Sequence, residues 1–351
     1  MIRVLHTADI HLTPDKQERM DALRSLLGLA EREEVDVVTI GGDLFDQPEN
    51  VEQLRTDLRN DLFSNRPFEI ILIPGNHDIQ AYRGDVFFGD SCTVITEEPF
   101  GHWTASEGGL RITGLPYRER PGDDLLLSLQ DREPFEGTEV LLLHCSLDAP
   151  FDDHETGDEG AHRYFPVTEE LLTELEFDYY LAGHYHSPHQ VSFSNGSEFT
   201  YPGTPASTRT SETGQRRVSL LNPDDGIDFE PLDTFHYVSR EFTATPGSEQ
   251  ELLDDVRAWV QQHVTASSEA SIHVDGFVET GEDEFHEELT AAASPANVTN
   301  ETRNVEHILS HPLYRSFEAE VEETDWDDET TAKVTERTLE VFSQLTAQGE
   351  I

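Results

Sequence analysis

The chain has 351 residues, enough for one large and one smaller domain, and its 36 % apolar content is gathered into strand-like runs, which excludes wholesale disorder. Net charge is −49, from 23 basic against 72 acidic residues spread along the whole chain, which excludes a single acidic tail as the source. Two cysteines, Cys92 and Cys145, set no disulfide framework and point to a reducing cytoplasm; no run reaches the ~20 apolar residues of a membrane span.

The chain opens with "IRVLHTA", which reads as a strand, so no signal peptide is expected. Three N-x-[ST] sequons, at Asn195, Asn297 and Asn300, are accordingly read as chance. "KQERMDALRSLLGLAEREE" predicts an amphipathic helix with Leu23, Leu26, Leu27 and Ala30 on one stripe. "VDVVTIGG" predicts a strand, "NVEQLRTDLRNDLF" a helix and "FEIILIP" a strand. This alternation argues a layered α/β fold with a largely parallel sheet. Further strands are expected at "LRITGLP", "TEVLLLHC", "FDYYLAG" and "RRVSLLN", with a hairpin around the Asn-Gly turn of "HQVSFSNGSEFTYPG". From about residue 236 the pattern restarts as strand, helix, strand, helix, predicting a small second α/β domain over 236–325. A last helix follows within 326–351.

Five apolar runs end in the same chemistry. "ADIH" gives Asp9 and His11, "GGDLFD" gives Asp43 and Asp46, and "GNHD" gives Asn76, His77 and Asp78. "LLLHC" gives His144, and "YLAGHYH" gives His184 and His186. Ligands bind at the carboxyl ends of strands in open α/β sheets. One such histidine is more often an edge residue than a ligand, but five tips of matching type are hard to obtain from packing. Imidazole nitrogen with carboxylate and amide oxygen suits two divalent ions, Mn²⁺, Fe or Zn²⁺. The lack of cysteine among the tips argues against structural zinc. Gly41, Gly42, Gly75 and Gly183 stand where the backbone must turn or pass close to an ion.

The series "DIH…GDLFD…GNHD…H…GHYH" resembles the calcineurin-like metallophosphoesterases in order, residue type and strand context. Within them, "VLHTADIHL", "FDYYLAGHYHSPHQV" and "YPGTPASTRTSE" resemble the SbcD-type nuclease branch of double-strand-break repair. The acidic, lysine-poor composition (only Lys16 and Lys333) resembles proteins of salt-accumulating halophiles.

The resemblance implies a layered metallophosphoesterase fold, β-sheets flanked by helices, over residues 1–235, with a smaller C-terminal α/β capping domain. It implies one metal held by Asp9, His11, Asp43 and His186 and another by Asp43, Asn76, His144 and His184, with Mn²⁺ expected in both. It further implies that His77 serves the phosphate and that Asp78 orients His77. Phosphate or DNA contacts are expected from Arg118, Arg120 and Arg209, with Arg216 and Arg217 as further candidates. His6, His102, His154, His162 and His189 are expected at the surface or in turns. The function implied is a two-metal DNA exo- or endonuclease; a small-molecule phosphodiesterase or nucleotidase is the alternative. Implied partners are DNA and a coiled-coil ATPase of the structural-maintenance type. The last helix, with Val334, Val341, Phe342 and Leu345 near one face and Leu339 beside it, would dock on that ATPase, form a homodimer, or pack on its own domain.

Overall fold

The computed structural model describes residues 2–84, 86–120, 122–148, 164–324 and 326–348. The chain divides into two compact units, 1–236 and 237–351.

In the first unit β1 (Val4–Thr7), β2 (Val37–Ile40), β3 (Glu69–Leu72) and β4 (Cys92–Val94) run parallel. Helix α1 (Gln17–Arg32) links β1 to β2. Helix α2 (Asn50–Asp57), extended by a π turn to Leu62, links β2 to β3. On the other side of β1, β13 (Arg217–Asn222) and β14 (Gly226–Pro231) add antiparallel strands, completing six. A second six-stranded sheet is built around β6 (Gly109–Gly114), β7 (Gly137–His144), β10 (Tyr179–Gly183) and β12 (Glu198–Tyr201), which are mutually parallel. Its antiparallel edges are β5 (Gly101–Thr104) and β11 (His189–Ser192). A short parallel pair, β8 (Ser146–Leu147) and β9 (Pro166–Val167), stands apart from both sheets.

The largely parallel sheet expected from the sequence is therefore two sheets. Strands such as "VLHT" and "VVTI" are buried on both faces, so they carry no polar alternation to say what covers each face. Leu5, Val38 and Ile70 meet Leu23, Leu26 and Leu27 of α1 and Leu54 and Leu58 of α2. Val4, Val37 and Ile71 meet Ile112, Val140, Leu142 and Leu181 of the second sheet. The outer face of that sheet is covered through Leu125 and Leu129 of α3 (Asp123–Gln130) and Leu172 of α4 (Glu169–Glu174). The result is helix, sheet, sheet, helix.

His6 departs from its expected surface or turn position. It lies fully buried between the sheets, Nε2 donating to the Ala182 carbonyl (3.1 Å) and Nδ1 accepting from Thr39 Oγ1 (2.9 Å). Burial lowers its pKa to about 4, against weaker opposing hydrogen bonds. His102 sits on an edge strand beside Thr113 Oγ1 (3.0 Å), and His189 on β11 is half-buried. His154 and His162 lie outside the described residues.

In the second unit β15 (His236–Ala244), β16 (Ser268–Val278), β17 (Asn297–Asn300) and β18 (Arg303–Asn304) form a four-stranded sheet. Helices α5 (Glu249–His263) and α6 (Glu282–Ala293) bury Leu253, Val256, Val260, Phe285 and Leu289 against Ile272 and Val274. Three helices follow: α7 (Glu306–Leu309), α8 (Pro312–Glu322) and α9 (Asp328–Gln348). The sequence reading had no place for α8, although Pro312 opens its first turn. Leu339 of α9 is buried with Phe277, Val305, Ile308 and Tyr314, and Phe342 packs on that cluster. The apolar stripe is thus seated on its own unit at these two positions, while Val341 is exposed.

Candidate metal centre

β1, β2 and β3 end together, as do β7 and β10, because each set is parallel and in register. The chain beyond each end turns across to the others. Asp9 N–H donates to the Gly42 carbonyl (3.1 Å) and His11 N–H to that of Asp43 (3.0 Å). His184 N–H donates to both oxygens of the Asp9 carboxylate (3.1 and 2.9 Å), and His77 N–H to Asp43 Oδ1 (2.9 Å). Asp9, His11, Asp43 and His184 all adopt positive φ (54°, 50°, 51° and 116°). A non-glycine residue there costs on the order of 1–3 kcal/mol, and such strain gathers at functional sites.

Two glycines make the crowding possible. A Cβ on Gly42, at φ 103°, would collide with the His144 ring, and one on Gly75 with the Asp43 carboxylate.

The tips bring the ligand-type atoms together. Asp9, His11 and His186 form one group with ligand atoms within 4.8 Å, and Asp9, Asp43 and His144 form another. Asp43 also groups with His11 and His77, so its carboxylate stands toward both sides of the site. His11 Nε2 and His186 Nε2 face each other at 3.2 Å. His144 Nδ1 donates to the Gly41 carbonyl (2.9 Å), which leaves a lone pair on Nε2. That lone pair points at Asn76 Oδ1, 2.7 Å away, with Asp43 Oδ2 at 3.5 Å. An imidazole nitrogen, an amide group and a carboxylate oxygen therefore converge on one point between the β2, β3 and β7 tips. A divalent cation fits this donor set. Burial, and then the neighbouring His186 and His77, hold the His11 pKa well below its usual value, so its imidazole stays neutral and able to ligate. The His184 ring lies edge-on to that of His144, with centroids 5.4 Å apart.

His77 is half-buried, its ring edge-on to that of His11 (centroids 4.8 Å), and its Nδ1 donates to the Asp46 carbonyl (3.1 Å). The Asp78 carboxylate, expected to orient His77, spends its hydrogen bonds on other groups. Asp78 is fully buried and accepts from the Gly75 N–H (2.8 Å), the Phe45 N–H (3.1 Å) and Tyr82 OH (2.9 Å). It ties the β2 and β3 tips to each other, and backbone donors leave no trace in a sequence. Burial, then the Asp43 carboxylate, push its pKa up to about 7 against the pull of those donors.

A small cleft of about 60 Å³ opens at His11, His77 and His186, lined also by Arg19, Asp46, Thr208 and Arg209. Of the expected phosphate contacts only Arg209 lies there. Arg118 pairs with Glu98 (2.9 Å) and Arg120 is exposed away from the lining. Arg216 is buried and donates to the His186 and Thr204 carbonyls (2.6 and 2.9 Å), a structural position. Sequence reading missed Arg19, whose guanidinium donates to the His11 carbonyl (2.5 Å) and Asp46 Oδ1 (3.2 Å). It also missed Glu212, which is buried and bonded to His186. Arg19 has a legible signal, sitting in the first turn of α1 next to the β1 tip; Glu212, in a polar loop, has none.

The calcineurin-like phosphoesterase family model matches residues 2–188, more than half the chain. The chain is 27 % identical over 250 residues to an uncharacterized metallophosphoesterase, YhaO, of Bacillus subtilis, covering 63 % of this chain and 57 % of that one. It is 25 % identical over 236 residues to the DNA double-strand break repair protein Mre11 of Saccharolobus solfataricus (60 % and 56 % covered). To Mre11 of Haloferax volcanii it is 27 % identical over 266 residues (71 % and 57 %). The matches span a little over half the length of these relatives. Among the described residues no helix is long and apolar enough to cross a membrane. With the family model spanning the tips that build the site, the chain belongs to the calcineurin-like phosphoesterases.

Proposed function

We propose that the chain is a two-metal phosphodiesterase that acts on DNA, a nuclease of double-strand-break repair, with Mn²⁺ as its resident ion. The metal reading is carried by one observation, the convergence of Asp9, His11, Asp43, His144 and His186 in overlapping groups whose ligand atoms lie within 4.8 Å of one another. Asp9, His11, Asp43 and His186 would hold one ion. Asp43, Asn76, His144 and His184 would hold the other, with Asp43 common to both. Two bound divalent ions lower the pKa of a water and clamp phosphate oxygens. His77 keeps Nδ1 on the Asp46 carbonyl, so Nε2 is the nitrogen left to meet the substrate, and it donates to the phosphate or protonates the leaving oxygen as the doubly protonated imidazolium. Arg19 and Arg209 add positive charge at the same cleft.

DNA as substrate is supported by the likeness to double-strand break repair proteins. The second reading, a small-molecule phosphodiesterase, is favoured by the net charge of −49 and by Arg118 being engaged with Glu98. A coiled-coil ATPase or a second copy is proposed to meet the second unit at the outward side of α9, where Val341 is exposed. Incubation with labelled linear DNA and with bis-p-nitrophenyl phosphate, in molar KCl with Mn²⁺, tests the substrate. Cleavage of both is expected. Hydrolysis of the ester alone would select the second reading, and hydrolysis of neither would overturn both.

A further inference from the structure

We infer that Glu212 is a positioning residue for His186 and that the 204–216 loop is through it part of the metal centre, an inference that rests on the two-metal reading. The imidazoles of the site are held by different groups. His144 Nδ1 is bonded to the Gly41 carbonyl and His77 Nδ1 to that of Asp46. His186 Nδ1 instead donates to a carboxylate, Glu212 Oε1, at 2.7 Å.

That carboxylate is 7 % exposed and saturated with donors. Oε1 also accepts from Thr208 Oγ1 (2.6 Å), and Oε2 accepts from the Thr208 N–H (2.7 Å) and Thr204 Oγ1 (3.1 Å). A buried carboxylate with four donors and none of its own is ionised and fixed in place. The His186 backbone is gripped from the same loop, its carbonyl accepting from Arg216 Nη2 (2.6 Å) and the Thr204 N–H (3.2 Å). Side chain and backbone of His186 are therefore set by residues 18 to 30 positions downstream.

The chemical consequence follows from the tautomer. Glu212 keeps the proton on Nδ1, so Nε2 carries a lone pair, and Nε2 is the atom turned toward His11 Nε2 at 3.2 Å. An imidazole bonded to a carboxylate is also more basic, hence a stronger ligand. Glu212 thus strengthens the ion on the His11–His186 side and leaves the His144–Asn76 side to the backbone-held imidazole.

Calorimetric titration of the full chain with MnCl₂, together with ¹⁵N-histidine spectra of the metal-free protein, tests this. The metal-free wild type should show His186 as the Nδ1–H tautomer, its signal assigned by loss in His186→Gln; the Nε2–H tautomer overturns the inference whether or not any variant folds. Glu212→Gln should weaken one of two Mn²⁺ sites roughly 10–100-fold and mix the tautomers. Thr234→Val removes a hydroxyl that staples the loop at the Pro205 carbonyl (2.6 Å) and bonds neither His186 nor Glu212, and should leave both affinities in place. Retention of both affinities by Glu212→Gln to within about twofold, or an equal loss in Thr234→Val, reduces Glu212 to a loop staple and overturns the inference. A wild type that takes up no Mn²⁺ overturns the two-metal reading itself, while the metal-free spectrum still reports the tautomer.

Discussion

The two units use the same alternation of strand and helix and differ in what the chain does after a strand ends. In the first unit Asp9, His11, Asp43 and His184 follow strands in left-handed backbone, buried and in contact with one another. In the second unit, among the described residues, positive φ falls only on Gly247 and Gly276. Two of its histidines lie toward the surface: His263 stacks on Trp259 with centroids 5.3 Å apart, and His273 lies 3.6 Å from an exposed Glu301 carboxylate. The alternation builds a sheet in both. Strained polar residues appear where two parallel sheets end side by side and many bonds over-determine the backbone. The second unit has one small sheet and gathers no such cluster among its described residues.

Substitutions sharpen the contrast. Asp43→Ala removes the carboxylate that stands toward both sides of the site. It should lower bis-p-nitrophenyl phosphate hydrolysis by at least about 10³-fold and reduce bound Mn²⁺ below two per chain. A variant that keeps both ions contradicts the shared role. His77→Ser should cost roughly 10²–10⁴ in rate with both ions retained, since the residue serves the phosphate. A fall in metal content alongside activity would make His77 a ligand.

In the second unit the effects should be on stability alone. Leu339→Ala empties a position 1 % exposed and should cost about 2–5 kcal/mol in that unit's unfolding, read by denaturant titration. The ester hydrolysis rate should not move.

A smaller effect is expected from His6, between the sheets of the first unit. Its pKa is lowered to about 4 when folded, against an ordinary 6.5, so it takes up a proton only on unfolding. Stability is then full above pH 6.5 and lost as pH falls toward 4, by up to roughly 3 kcal/mol. His6→Gln should flatten that part of the stability–pH curve; an unchanged slope would mean that other groups carry it.

The strand tips were legible because each follows an apolar run directly, so position and residue type are read together. The division into two sheets came from the family resemblance alone, since β1 and β2 are buried on both faces and do not say which partner covers each. The partners of Asp78 are not legible for a related reason: they include the N–H groups of Gly75 and Phe45, which any residue would offer. Glu212 and Arg216 look like surface charges in a Ser/Thr-rich loop, and only the return of that loop to His186 buries them. The stripe on α9 told that the helix covers something; Tyr314 and Phe277, brought in by α8 and β16, decide what it covers at Leu339.

The central claim is that these tips form a centre for two divalent ions. Anomalous diffraction from crystals soaked in Mn²⁺ tests it most directly. Two peaks are expected, one at Asp9, His11 and His186 and one at Asn76, His144 and His184, with Asp43 between them. Crystals soaked in Mn²⁺ that show no peak at these residues would contradict it.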